Sequence, residues 1–217
     1  MVRVLMSLTI LACLSLPAHA QKTVAVGGKQ ATLHVPANAR ASAILIPGKG
    51  GVDPSDPLLR NRAAINARGI ATLVVPHGTI IGEAIQYMRK VKEPVALVGM
   101  SAGVSFAGRA IGNGAKPDSL VLISGSLMAP GKLPAQVSIK TPSIMPRTLV
   151  LHNRNDGCDL TPVSAVEPFV KWSGGKASVQ WIGGSGSGKD PCGPNSAHGF
   201  AGADGEVVSA LAGFVAP

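Results

Sequence analysis

Short, continuously apolar segments alternate along this sequence with longer segments whose apolar residues have helical spacing. The apolar segments have the length and composition of buried strands, and they cover residues 43–46, 70–75, 95–98, 119–123, 148–151 and 178–182. Helix-compatible segments lie at 58–68, 80–91, 102–111, 162–172 and 205–215. A hairpin is predicted before them, over residues 23–35. This alternation predicts an α/β fold, with a mostly parallel sheet covered by helices on both faces.

The N-terminus has the pattern of a secretory signal peptide. Residues 1–3 include one arginine, residues 4–16 are almost entirely apolar, and Ala18-His19-Ala20 is an Ala-x-Ala cleavage signal. We therefore predict a signal peptide over residues 1–20, a single domain over 21–217, and a periplasmic or secreted protein. A lipoprotein cleavage site at Cys13 is a weaker alternative, because Leu11 fits that pattern poorly. No other stretch is apolar enough to span a bilayer.

Two cysteines, Cys158 and Cys192, remain once the signal peptide with Cys13 is removed. An even pair in an oxidising compartment predicts a disulfide. Two separate free thiols are the alternative.

The chain is basic, with a formal net charge of +9 at pH 7. A solvated basic surface suited to an anionic cell envelope accounts for this charge. No run of arginines is interleaved with aromatic residues, which argues against nucleic-acid binding. One tyrosine and two tryptophans are too few for an aromatic platform that stacks on sugars.

A serine follows the predicted strand 95–98 in the sequence Gly99-Met100-Ser101-Ala102-Gly103. This is the G-x-S-x-G pattern, in which small neighbours allow a strained turn between strand and helix that exposes the serine hydroxyl. Ser101 is therefore the candidate nucleophile. A serine that merely caps the following helix is the structural alternative.

A serine nucleophile needs a base, and the base needs a carboxylate to orient it. The carboxylates between Ser101 and the last histidine are Asp118, Asp156, Asp159, Glu167 and Asp190. Asp156 lies in the loop that leaves the strand 148–151, and ligand sites in parallel sheets lie beyond the carboxyl ends of the strands. We therefore choose Asp156, with Asp159 second; Asp159 is alternatively a loop acid that caps the next helix.

The long polar loop after the strand 178–182 brings His198 to the start of the last helix. His34 lies in the opening hairpin, His77 follows a strand that does not usually supply the base, and His152 precedes the acid. His198 is therefore the candidate base, although a bland surface histidine is the alternative. The resulting order Ser101, Asp156, His198 is the one expected for a nucleophile elbow of this kind.

An oxyanion hole requires two N–H donors directed at the developing negative charge. The amide of Ala102, directly after the nucleophile, is the first candidate. The second is the amide of Lys49, in the glycine-rich loop 47–51 after the first parallel strand, where glycines allow a close backbone approach. A simple turn is the alternative for this loop.

No cofactor or metal is predicted. Residues 183–189 superficially match a phosphate-binding loop, but Asp190 stands where Ser or Thr would bind magnesium, and the loop follows the last strand. The histidines and cysteines lack the spacing of metal ligands.

The chain resembles a small secreted α/β-hydrolase of the serine esterase and dienelactone hydrolase-like group. The resemblance rests on G-M-S-A-G at 99–103, L-H-N-R-N-D at 151–156 followed by Pro162, and A-H-G-F at 197–200. It implies the α/β-hydrolase fold and cofactor-independent Ser-His-Asp hydrolysis of a small-molecule ester. Two departures matter: Pro47-Gly48 stands where many relatives have His-Gly, and dienelactone hydrolases proper use a cysteine nucleophile.

The segment 125–146, where many relatives insert a lid, is short and rich in proline. We therefore expect no large lid and an open site. An esterase is the first functional hypothesis. An amidase, peptidase or thioesterase would use the same three residues, so no feature of the sequence separates these activities from it. A catalytically silent binding protein on the same fold is the third hypothesis.

Overall fold

The computed structural model describes residues 21–184 and 186–217. The predicted signal peptide lies outside these residues. In the described part of the chain, eight strands form one sheet in the order β1-β2-β4-β3-β5-β6-β7-β8. Their bounds are β1 Lys22–Val26, β2 Lys29–His34, β3 Ala41–Ile46, β4 Ile70–Val74, β5 Val95–Met100, β6 Ser119–Ile123, β7 Arg147–Asn153 and β8 Ala177–Ile182.

The sheet is mostly parallel, as the alternation of elements predicts. Strands β4, β3, β5, β6, β7 and β8 pair in parallel, while β1 and β2 form the predicted hairpin and pair antiparallel at the β4 edge. Because the six parallel strands share one direction, the loops that follow them emerge at the same edge of the sheet.

Helices cover both faces of the sheet, which confirms the predicted layering. Their bounds are α1 Pro57–Arg60, α2 Arg62–Ala67, α3 Ile81–Arg89, α4 Ala102–Gly112, α5 Ala135–Ile139, α6 Val166–Trp172 and α7 Asp204–Val215. Helices α3, α4, α5 and α6 contribute to one apolar core, and α1, α2 and α7 contribute to the other.

The central strands β3, β4, β5 and β6 are almost entirely apolar because they face a core on each side. On β3, Ile44 and Ile46 join the core under α3 and α4, whereas Ala43 and Leu45 join the core under α7. All six residues of β3 are buried. Strands buried on both faces read as continuous apolar runs, whereas strands with one wet face alternate.

Two predicted helices differ in detail from the structure. The helix predicted at 58–68 is divided at Asn61, whose side-chain amide donates to the Pro57 carbonyl at 3.0 Å and to Asp204; such side-chain bonds compete with helix geometry. The helix predicted at 162–172 begins with a 3₁₀ turn at Val163–Ala165. The α-helix then starts at Val166, which places Pro168 in its first turn, where a missing N–H is tolerated.

The segment between β6 and β7 holds only the five-residue α5 and a 3₁₀ turn at Pro142–Ile144. The expectation that this chain has no large lid is therefore confirmed for the described residues. No helix in the described ranges has the length and apolar character needed to cross a bilayer.

Candidate active site

Ser101 lies at the turn between β5 and α4, with a strained backbone at φ 50° and ψ −115°. The two glycines of the motif make this turn possible. A Cβ on Gly99 would lie 2.6 Å from the Gly103 carbonyl oxygen, and a Cβ on Gly103 would collide with the Ile46 carbonyl oxygen. The hydroxyl of Ser101 makes no capping hydrogen bond to α4, so the helix-cap alternative does not describe it.

The structure brings together Ser101, Asp156 and His198, the three residues predicted from sequence. His198 Nε2 lies 2.9 Å from Ser101 Oγ, and His198 Nδ1 lies 2.9 Å from Asp156 Oδ2. The histidine is 2 % exposed and the Asp156 side chain is fully buried. Asp159, the second choice for the acid, is exposed.

The Asp156 carboxylate has further partners. Its Oδ1 accepts the Cys158 amide at 2.9 Å, and its Oδ2 lies 3.5 Å from Thr161 Oγ1 and 3.2 Å from His152 Nε2. Burial raises the pKa of this carboxyl, but interactions with His152, with His198 and with the Cys158 amide outweigh burial and lower the pKa to about 2. Asp156 is therefore ionised at neutral pH and is an acceptor for the His198 ring.

The loop 47–51 after β3 approaches Ser101 closely. The Gly48 amide donates to Asp56 Oδ2 at 2.8 Å, so it is not directed at a substrate. Within the described ranges the Lys49 amide has no internal acceptor, and Lys49 lines the cavity in front of Ser101. The Ala102 amide is at the first position of α4, where no preceding carbonyl is placed to accept it. These are the two amides that the sequence suggests as oxyanion donors.

The loop 47–51 is held on two sides by residues that the sequence analysis did not single out for this role. Asp56 binds Gly48 with one oxygen and the Leu58 amide with the other, at 2.8 Å each. Burial raises the pKa of Asp56 against these hydrogen bonds. On the other side, His77 Nε2 lies 2.9 Å from the Pro47 carbonyl oxygen and the His77 ring stacks on Phe106.

A cavity of about 330 Å³ opens in front of Ser101, between the loop 47–51 and the loop that carries His198. Lys49, Asp53, Asp56 and Asp190 contribute its polar lining. Within the described ranges, no group of three or more His, Cys, Asp or Glu residues is arranged to hold a metal ion.

Cys158 and Cys192 form the predicted disulfide. Cys158 follows Asp156 by two residues, and Cys192 precedes His198 by six. The bond therefore joins the loop that carries the acid to the loop that carries the base.

Arg60, on α1, also holds the His198 loop. Its guanidinium donates to the carbonyls of Pro194 at 2.8 Å and Gly199 at 2.5 Å, and it pairs with Asp204 at 2.8 Å. The sequence offers no motif for this arginine. The Asp56-Pro57 pair is a readable helix start, but nothing in the sequence indicates that Asp56 also binds Gly48.

Comparison with known structures identifies the fold. A dienelactone hydrolase from Anabaena variabilis is similar over 89 % of this chain and 94 % of its own, with a TM-score of 0.65 and 15 % identity. Est1E from Butyrivibrio proteoclasticus is similar over 89 % and 96 %, with a TM-score of 0.64 and 16 % identity. The esterase domain of a Rhodothermus marinus protein covers 90 % and 97 %, with a TM-score of 0.65 and 13 % identity.

No protein-family model matches the sequence, and no curated protein matches it. At identities of 13–16 %, the structural likeness shows the fold alone. The chain has the α/β-hydrolase fold.

Proposed function

We propose that this protein is an exported serine hydrolase that cleaves carboxylic esters through an acyl-enzyme intermediate. The observation that carries the proposal is the continuous chain from Ser101 Oγ through His198 to Asp156, with 2.9 Å at each contact, at the base of an open cavity. This is the arrangement that activates a serine hydroxyl.

In the proposed reaction, Ser101 Oγ attacks the ester carbonyl carbon while its proton passes to His198 Nε2. Negative charge develops on the carbonyl oxygen, and the amides of Lys49 and Ala102 donate to it. Asp156 holds the His198 Nδ1–H and stabilises the imidazolium. The alcohol leaves with the proton from His198. Water, deprotonated by His198, then attacks the acyl carbon, releases the carboxylic acid and restores Ser101.

An ester is the substrate class favoured here because two of the structures with this fold are named as esterases, and the cavity is open and has no large lid. An amide, peptide or thioester would use the same catalytic groups, but no particular contact favours one of them. A silent binding protein has no need for a strained serine that contacts a histidine held by a buried carboxylate.

Export is part of the proposal, because the disulfide near the site requires an oxidising compartment to form and persist. The full-length chain expressed with its own N-terminus should accumulate outside the cytoplasm as a protein that begins at Gln21. Recovery of an uncleaved, reduced chain from the cytoplasm would contradict export and leave the catalytic proposal standing.

The first experiment on catalysis is reaction of the purified, oxidised protein with a fluorophosphonate probe, followed by mass spectrometry to locate the adduct. Ser101 should be labelled, and Ser101→Ala should abolish both the labelling and ester hydrolysis. We expect a loss in kcat/KM of more than about 10³-fold. Ser105→Ala is the matched control, because that hydroxyl lies one turn along α4 and donates to the Leu133 carbonyl instead.

Labelling that persists in Ser101→Ala, or a folded and oxidised protein that never reacts, would refute the assignment of the nucleophile. A labelled protein that hydrolyses amides or thioesters faster than esters would keep the mechanism and change the substrate class.

A further inference from the structure

His152, near the end of β7, is a fully buried titratable group that the proposed reaction does not use. Its Nε2 lies 3.2 Å from Asp156 Oδ2. This separation is within reach of a hydrogen bond, but the ring is not aligned for a well-directed one, and neither ring nitrogen has such a bond to any described residue. The rings of His152 and Trp181 are in an edge-to-face arrangement, with centroids 6.2 Å apart.

Packing alone does not account for an imidazole at this place. A buried polar group without a well-formed hydrogen bond costs about 1–3 kcal/mol, and an apolar ring of similar size would avoid this cost. Such groups in folded proteins call for an explanation. The carboxylate oxygen Oδ2 of Asp156 lies 3.2 Å from the ring, which indicates that the explanation lies there.

The chemistry of the contact defines the tautomer of His152. Nε2 faces an ionised carboxylate oxygen, so it must carry its hydrogen, because two acceptors at 3.2 Å would repel. The same oxygen, Oδ2, already accepts the Nδ1–H of His198 at 2.9 Å. Two imidazole N–H groups therefore approach one carboxylate oxygen.

We propose that His152 is a positioning residue of the active site, which shares Oδ2 of Asp156 with His198. Through this contact it fixes the orientation of the carboxylate and limits how strongly Asp156 holds a proton on His198. The inference rests on the proposed Ser-His-Asp mechanism. It concerns how readily His198 gives up the proton that it takes from Ser101.

The surroundings of the carboxylate leave these two rings as its titratable contacts among the described residues. Thr161 contributes a neutral hydroxyl, and the Cys158 amide binds the other oxygen. Arg154, from the same loop, lies over the Trp181 ring, with its guanidinium carbon 4.5 Å from the ring centroid.

Loss of the His152 N–H would leave more of the negative charge on Oδ2 for His198. The imidazolium of His198 would then persist to higher pH. The neutral imidazole would therefore be available as a base over a narrower range of pH. In His152→Phe we expect the acidic limb of the kcat/KM profile to move to higher pH by about 0.5 unit or more.

The test compares pH–rate profiles of the oxidised enzyme and three variants. His152→Phe keeps an aromatic ring and removes the N–H. His152→Gln restores an amide N–H at a similar reach from Cα, and its acidic limb should lie close to that of the wild type. His34→Gln, on β2 beside the β4 edge of the sheet, is the control and should leave the profile unchanged.

A structural role alone would lower the rate at every pH without moving the acidic limb. Acidic limbs that coincide in the wild type, His152→Phe and His152→Gln would overturn the inference. If His152→Phe does not fold, the test rests on His152→Gln. A shift of its acidic limb by more than about 0.5 pH unit from the wild type would then refute the inference.

A second readout separates this inference from the proposed function, because it needs no turnover. The ¹⁵N signals of the His198 ring should titrate with a higher midpoint pH in His152→Phe than in the wild type. An inactive wild type with this difference would refute the hydrolase and keep the shared carboxylate. An active wild type without the difference would refute only the role of His152.

Discussion

Among individual residues, Asp156 has the environment with the clearest consequence for pH. Its side chain is fully buried beside two histidine rings. Although burial raises its pKa, its partners lower it from 3.8 to about 2. An acid whose pKa is lower in the folded protein stabilises the fold above its unfolded pKa, and this stabilisation is lost as the pH falls through the folded pKa.

The first prediction compares Asp156→Asn with Asp159→Asn, a matched change at an exposed acid three residues along. Asp156→Asn should lower kcat by about 10³- to 10⁴-fold, because an amide does not hold His198 in the reactive tautomer. It should also remove a pH-dependent stabilisation of about 2 kcal/mol. The free-energy difference between wild type and variant, measured by urea unfolding, should therefore shrink between pH 4 and 2.

Asp159→Asn should keep both the activity and the wild-type dependence of stability on pH. Equal losses of activity in the two variants would remove Asp156 from its assigned role.

The predicted site residues that the structure brings together share a simple physical basis. Ser101, Asp156 and His198 each follow a parallel strand, and the direction of such strands brings their loops to one edge. Asp56 and His152 were not assigned roles, because their importance comes from contacts with Gly48 and Asp156 that depend on how side chains are oriented. A list of strands and loops does not contain that information.

Among the helices and loops, α1 and the His198 loop form the least expected pair. Strand β8 ends at Ile182 and α7 begins at Asp204, so His198 lies in a long connection whose described residues form no helix or strand. Arg60 reaches across from α1 to the carbonyls of Pro194 and Gly199, on either side of His198. Because the helix predicted at 58–68 is broken at Asn61, α1 ends at Arg60. The 3.6-residue apolar periodicity does not predict this break.

The second prediction follows from this contact. Arg60→Ala should lower kcat by about 10- to 100-fold, because a shift of His198 by about 1 Å is sufficient for such a loss. Arg60→Lys keeps the charge opposite Asp204 but loses the fork that binds two carbonyls, and should lie between Ala and wild type. Steady-state kinetics, with thermal unfolding on the same samples, separate this effect from a loss of fold.

Arg68→Ala is the control, since Arg68 is exposed and its guanidinium donates to Ser209 at 3.3 Å, away from the His198 loop. A kcat for Arg60→Ala equal to that of this control would show that the loop holds His198 in place without the contacts of Arg60.

In the molecule as a whole, different parts stabilise the fold and position the catalytic residues. The two apolar cores lie on opposite faces of the sheet and are built from the strands and helices themselves. This arrangement follows from the apolar pattern, which is why the layering could be predicted from sequence. The disulfide joins two loops outside these cores, and its pairing could be predicted because Cys158 and Cys192 are the two cysteines that follow the predicted signal peptide.

The third prediction tests this separation. A disulfide that closes a 34-residue separation should stabilise the fold by about 4 kcal/mol in the chain-entropy model, less any strain. Cys158→Ala/Cys192→Ala should therefore unfold at lower urea concentration but keep the wild-type far-ultraviolet circular dichroism. Its kcat should fall, because the covalent link between the loop that carries Asp156 and the loop that carries His198 is then lost.

Reduction of the wild type should reproduce the rate of the double variant, and the same reductant should leave that variant unchanged. Full activity in a protein shown by mass spectrometry to be reduced would mean that the bond stabilises the fold without positioning the site. Loss of the far-ultraviolet circular dichroism signal on reduction would contradict the prediction, because it would show that the two cores depend on the disulfide for their stability.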